Sequence, residues 1–219
     1  MAKVFIYVEG QTEDTFVKRV LYPPLSQKGI FIIPIIAKTK RTKSGETFKG
    51  GITKYSVVKS EILKLLNDPT ALAVTTFIDY YDLPHSFPGK NRLVGTTPFE
   101  KVEFLENAFK QDIDHPKFIP YIMLHEFEAL LFASPREICK PFPGTNVMAD
   151  LENIRNSFQS PEEINEGKAT HPSARIQSLL PDYRKSLHGP LISLRIGLDR
   201  IRRECHHFSQ WLSAIERLV

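Results

Sequence analysis

An apolar strand that runs straight into a carboxylate is the feature that most limits this chain. Val4 to Val8 reads as a buried strand, short and unbroken by polar residues. Glu9 follows at once, then Gly10 as a turn, then a helical pattern. A second apolar run, Leu72 to Ile78, ends on Asp79-Tyr80-Tyr81-Asp82. In open α/β sheets, ligands gather at the carboxyl ends of the strands. Two strand ends that each carry acid therefore predict a divalent-cation site, because hard ions such as Mg²⁺ take carboxylate oxygens.

The rest of the first 133 residues supports such a sheet. Thr12 reads as an N-cap, and Glu13 and Asp14 complement the positive end of the helix that follows. That helix carries Phe16, Val17, Val20 and Leu21 and is expected to stop at Pro23-Pro24. Phe31 to Ile36 is the next strand, and a basic loop runs from Lys38 to Lys54. Tyr55 to Leu66 reads as a helix with Val58, Ile62, Leu65 and Leu66 on one side. After the Leu72 strand comes a loop, Asp82 to Thr97, and then a helix from Pro98 to Lys110. Phe118 to Met123 is the fourth strand, followed by a short helix, His125 to Phe132. This alternation predicts an α/β fold: a mostly parallel four-stranded sheet flanked by helices.

Beyond Ser134 the pattern turns helical. Residues 160–190 are rich in Pro, Gly and Ser and read as connected turns. Leu194, Leu198, Ile201, Cys205, Phe208, Leu212 and Ile215 recur at spacings of 4, 3, 4, 3, 4 and 3, which predicts one long amphipathic helix. The expected division is an α/β domain over 1–133 and a helical C-terminal region over 134–219, packed on it.

Composition narrows the setting. The chain has 219 residues, 42% hydrophobic and 25% charged, enough for a core without disulfides or structural zinc. No run of about 18 apolar residues occurs, so no membrane span is expected. No signal-peptide pattern opens the sequence. Cys139 and Cys205 lack metal-ligand spacing and fit a reducing, cytoplasmic compartment. A net charge of +4 and a pI of 9.0 mildly favour a polyanionic partner.

Phosphodiester chemistry explains why acids would gather here. Its transition state collects negative charge on the phosphoryl oxygens, which divalent ions offset. Glu9, Asp79 and Asp82 are the candidate ligands. Glu126 and Glu128, after the fourth strand, are candidates for a further ligand or a general base. On a helix, residues two apart point in different directions, so those two are not expected to share one ion. Asp82 before Leu83-Pro84 reads equally as a turn former. Lys38, Lys40, Arg41, Lys43 and Lys49 form a basic loop that reads either as a phosphate-binding flap or as a solvated surface. No Walker A loop occurs, so any ATP hydrolysis would need a partner.

At these residues the chain resembles the Toprim domain of topoisomerases, bacterial primases and OLD-family nucleases. Val8-Glu9-Gly10-Gln11-Thr12-Glu13 is similar to the OLD-type start, and Asp79-Tyr80-Tyr81-Asp82 stands where the Toprim aspartate pair belongs. The pair is three residues apart here, where two is usual. More closely, the chain resembles a family of small bacterial Toprim-like proteins often encoded beside an AAA-type ATPase. That resemblance rests on the Glu9 motif, Asp79-Tyr80-Tyr81, the block His125-Glu126-Phe127-Glu128-Ala129-Leu130-Leu131-Phe132, Pro172-Ser173-Ala174-Arg175-Ile176, and Cys205-His206-His207-Phe208 before Trp211. It implies a Mg²⁺- or Mn²⁺-dependent nuclease acting on DNA or RNA in anti-phage defence, with an AAA- or ABC-type ATPase as partner. A homodimer is compatible with it. OLD-type nucleases place a lysine near the phosphate, which makes Lys185 a candidate. The alternatives are a non-catalytic subunit that binds the ATPase or nucleic acid, and a phosphatase or nucleotidyl-transfer enzyme on the same site.

Overall fold

The structure is a computed structural model that describes residues 2–37, 54–81, 83–164, 167 and 169–219. Strands β1 (Ala2–Val8), β2 (Ile30–Ile36), β3 (Ala71–Asp79), β4 (Phe118–Ile119) and β5 (Ile122–Met123) form one parallel sheet. The order is β2-β1-β3-β4, with β5 also on β3. β4 and β5 are the expected fourth strand, interrupted at Pro120, which has no amide hydrogen to donate. Thr76 bridges the gap. Its Oγ1 donates to the Tyr121 carbonyl at 2.7 Å and accepts from the Tyr121 amide at 2.9 Å. Register is therefore kept, with Thr75 opposite Ile119 and Ile78 opposite Ile122.

The alternation of side chains along each strand divides the interior into two layers. Val4, Ile6 and Val8 join Ala73 and Phe77 on one face. Phe5 and Tyr7 join Val74 and Ile78 on the other. Helices α3 (Tyr55–Leu66) and α4 (Pro98–Ile113) cover the second face through Val58, Ile62, Val102, Leu105 and Phe109. Burial on both faces is why the strands are nearly all apolar.

The first helix corrects an expectation. Its N-cap is Gly10, not Thr12, and the helix does not stop at Pro23-Pro24. α1 (Gln11–Phe16) widens into a π-helical segment, Val17–Leu21, and continues as α2 (Tyr22–Gln27). The two prolines fall in the first turn of α2, directly after the π-helical segment, and having no amide hydrogen they donate to no carbonyl of it.

The C-terminal third departs further. Residues 160–190 contain helix α7 (Pro172–Leu179) and the start of α8 (Lys185–Ile196), not turns alone. The predicted long helix is three: the end of α8, then α9 (Leu198–Glu204), then α10 (His206–Glu216). Gly197 breaks the first junction at φ 80°, a conformation that favours glycine, and Cys205 is extended at the second. The apolar spacing survives because each short helix faces the same core; Leu194 alone leaves it and is exposed. With α5 (Pro135–Cys139) and α6 (Met148–Asn156), these helices cover the β1–β3 face opposite α3 and α4. Trp211 stacks on Phe77 and Tyr121 and donates its indole hydrogen to Thr75 Oγ1 at 2.8 Å. Among the described residues, no helix is long and apolar enough to cross a membrane.

Candidate metal centre

Parallel pairing of β1 with β3 sets their carboxyl ends side by side, with Val8 opposite Phe77. Glu9 and Asp79 then meet at the edge: Glu9 Oε2 accepts a hydrogen bond from the Asp79 amide at 3.2 Å. Asp79 Oδ1 is buried and has no hydrogen-bond partner among the described residues. Burial pushes the Asp79 carboxyl well above its ordinary range, and the charges of Glu9, Glu13 and Glu126 push the same way.

Glu13 belongs to this cluster. It closes the start of α1 by accepting from the Gly10 amide at 2.8 Å, yet it is buried. Burial lifts its carboxyl from 4.5 to about 7, helped by Glu9 and Glu128. The capping role was legible in the sequence; the proximity to Glu128, from a distant segment, was not.

The fourth strand delivers the other two acids through a strained turn. His125 sits at φ 64°, in the left-handed region that few non-glycine residues enter and that histidine enters more readily than most. Glu126 follows in extended geometry and Glu128 enters a 3-10 helix, Phe127–Ala133. This replaces the expected α-helix from His125 and changes the outcome for the pair. Both carboxylates face Lys185, whose Nζ lies 2.7 Å from Glu126 and 3.5 Å from Glu128. Glu126 also accepts from the Ser173 amide and from Ser173 Oγ at 3.0 Å, and His171 Nδ1 lies 3.0 Å from it. Burial opposes its ionisation, but the Lys185 charge and these hydrogen bonds prevail and hold its carboxyl below 4.5. Glu128 accepts from the Tyr183 hydroxyl at 3.2 Å. Burial takes Glu128 up to about 7, with Glu126 adding and Lys185 opposing.

Lys185 is the first residue of α8, and a glycine lets that helix close on the cluster. A Cβ on Gly189 would stand 3.2 Å from Phe127 and 3.3 Å from Thr12. Burial works against the Lys185 charge, but Glu128 and Glu126 hold it well above the ordinary lysine value.

The candidate ligands are thus distributed unevenly. Glu9 and Asp79 stand together, whereas Glu126 is spoken for by Lys185, His171 and Ser173. Among the described residues, no three His, Cys, Asp or Glu side chains are arranged to hold a metal ion. Asp82 lies outside the described residues, as do Lys38, Lys40, Arg41, Lys43 and Lys49. The donor set nonetheless suits a hard divalent cation: it is all oxygen, one carboxylate oxygen is buried without a partner among the described residues, and the cluster holds more acid than Lys185 balances. The spacing of the sequence assigns no role in this cluster to His171, Ser173 or Tyr183, although Ser173 lies in a block that carries the family resemblance. Pro172 behind His171 was the available signal, since proline opens helices and His171 caps α7.

The family model described as Domain of unknown function (DUF4276) matches residues 8–216, a span that holds the whole cluster. The chain belongs to the DUF4276 family. Among solved structures, this DUF4276 chain is similar to the C-terminal region of the Burkholderia pseudomallei OLD protein, at 16% identity and a TM-score of 0.49 over 100% of both chains. It is also similar to the C-terminal region of the Xanthomonas campestris pv. campestris OLD protein, at 16% identity and a TM-score of 0.40 over 99% of this chain and 96% of that one. No curated protein matches it.

The raised carboxyls make metal-free stability depend on pH. Glu13 and Glu128 keep their protons up to about 7 when folded and lose them near 4.5 when unfolded. Between those values the folded state binds more protons, so unfolding becomes easier as pH rises. The melting temperature in EDTA is expected to fall between about pH 5 and about pH 7. Thermal melts at saturating Mg²⁺ should show a flatter profile; a profile equally steep with and without Mg²⁺ would uncouple the cluster from metal.

Proposed function

We propose that this protein is a Mg²⁺- or Mn²⁺-dependent nuclease that hydrolyses phosphodiester bonds. The observation that carries this reading is the buried oxygen of Asp79, without a hydrogen-bond partner among the described residues, beside Glu9 at two adjacent parallel strand ends, with Lys185 held across the same cluster. The Toprim-like motifs at Glu9 and Asp79 support it.

Glu9 and Asp79 would hold the cation, with Asp82 supplying a third carboxylate from the same motif. When bound, the cation offsets charge on the phosphoryl oxygens and lowers the pKa of water. Lys185 presents a fixed positive charge where a phosphate would enter. Glu126 positions it: the carboxylate is anchored by Ser173 and His171 and tethers the ammonium at 2.7 Å. Glu128, with a carboxyl at about 7, can accept and return a proton near neutral pH, which is what a general base requires. The basic run from Lys38 to Lys49 would hold the phosphate backbone. An AAA- or ABC-type ATPase partner in cytoplasmic phage defence completes the proposal.

The full engagement of Glu126 is the observation that favours the second reading, a non-catalytic subunit that binds an ATPase or nucleic acid. Incubation with single-stranded DNA, plasmid DNA and RNA, alone and with the co-expressed ATPase, separates the two. Cleavage that needs Mg²⁺ or Mn²⁺ and stops in EDTA is expected. Intact substrate throughout, together with no Mn²⁺ bound by calorimetry, would leave only the binding subunit.

A further inference from the structure

Two tyrosines follow Asp79, and the fold uses them differently. Tyr80 is half-buried against the α3–α4 layer, with the Lys90 ammonium 4.4 Å from its ring centre. Tyr81 is turned outward and is 39% exposed. Its position is nevertheless defined. Its amide donates to the His125 carbonyl at 3.0 Å, and its ring lies 5.0 Å from that of His171, tilted by 39°. His171 is in turn held by Glu126 at 3.0 Å. An exposed ring is thus fixed beside a second ring, both tied to backbone and carboxylate of the acidic cluster. Among the described residues the ring belongs to neither of the two hydrophobic layers.

We propose that Tyr81 and His171 form a platform on which one unpaired nucleobase stacks, so that the site takes a single-stranded or locally unwound strand. This rests on the nuclease reading and specifies its substrate. Every base has a π-face, and stacking on an aromatic side chain needs no particular sequence. In a duplex those faces are covered by neighbouring bases. A strand that lays a base on Tyr81 therefore brings the attached phosphate to the edge where Asp79, two residues away, and Lys185 stand. The Lys90 charge above Tyr80 lies on the same loop and favours the polyanion.

The test is fluorescence anisotropy with labelled oligonucleotides of one sequence: single-stranded DNA, single-stranded RNA, a DNA duplex, and a DNA strand with abasic sugars at its centre. The full chain is used with Ca²⁺ in place of Mg²⁺, over times at which no cleavage is seen. Tyr81→Ala is expected to weaken single-strand binding roughly tenfold, the scale of one lost stacking contact. Tyr81→Phe should bind as the wild type does. The duplex should bind both variants equally, and the abasic strand should bind the wild type about as weakly as Tyr81→Ala binds the normal strand. Whichever of DNA or RNA shows the larger loss is the strand the platform serves. Equal single-strand binding by Tyr81→Ala and wild type overturns the platform and leaves the nuclease reading standing. Equal losses for duplex and single strand also overturn it, by making Tyr81 a packing residue. A wild type that binds none of the four probes overturns both.

Discussion

Glu9→Gln is expected to abolish divalent binding and cleavage together, with the fold intact. Glutamine keeps the shape and the oxygen that accepts from the Asp79 amide, so only the charge is removed. That charge also presses on Asp79 and Glu13, so its loss relieves repulsion in the metal-free state. The melting temperature of the variant in EDTA is therefore expected to equal or exceed that of the wild type. The contrast lies in the response to metal. At Mn²⁺ concentrations of about 100 times Kd, binding stabilises a native state by about 2.7 kcal/mol. For a chain of this size that is a rise of about 5–10 °C in the wild type. The Gln variant should show no rise, and cleavage should fall by more than the roughly 10–100-fold typical of losing a residue that merely supports a ligand. Full cleavage and a full Mn²⁺ shift in Glu9→Gln would remove Glu9 from the metal site.

Lys185→Met should be the most destabilising single change in the cluster. Methionine keeps the apolar stem and deletes the ammonium. Glu126 and Glu128 are almost fully enclosed, with side chains 4% and 2% exposed. Stranding a buried charge costs about 3–5 kcal/mol. The Lys185 side chain is itself 44% exposed, so water screens part of the pair, and about 2–3 kcal/mol is the expected loss. That corresponds to a drop of about 4–12 °C in melting temperature near neutral pH. The direction with pH is fixed by Glu126, whose carboxyl is held below 4.5 in the folded protein. Its pairing stabilises the fold above 4.5, and that contribution disappears as pH falls through the lower folded value. Melts of the two proteins should therefore converge on acidification. A gap that persists unchanged at about pH 3 would show that the lysine acts through packing and not through charge.

What the sequence made legible follows the physics of each signal. β1 and β3 were readable because strands buried on both faces are continuous apolar runs, and Glu9 and Asp79 stood out because each ends such a run. The course of α1 into α2 was hidden, because a π-helical segment leaves no mark in periodicity while Pro23-Pro24 reads as a stop. The three C-terminal helices looked like one because the core they share imposes a single spacing on all of them; only Gly197 betrayed a break. Lys185 and His171 reach the acids through contacts between residues far apart in sequence. Spacing carries no trace of such contacts, and the family resemblance alone pointed to Lys185. Glu126 and Glu128 were expected to diverge because a helix was assumed, whereas the left-handed turn at His125 and the 3-10 helix turn both toward one lysine.

The distance in sequence between Glu9 and Lys185 has a consequence for biosynthesis. The ribosome completes β1, β3 and the His125 turn well before it reaches α8. Until α8 emerges, the acids of the nascent chain face one another with neither Lys185 nor the Gly189 contact that brings it in. The complete cluster therefore forms only after α8 has been made, however early the strands that carry the acids pair with one another.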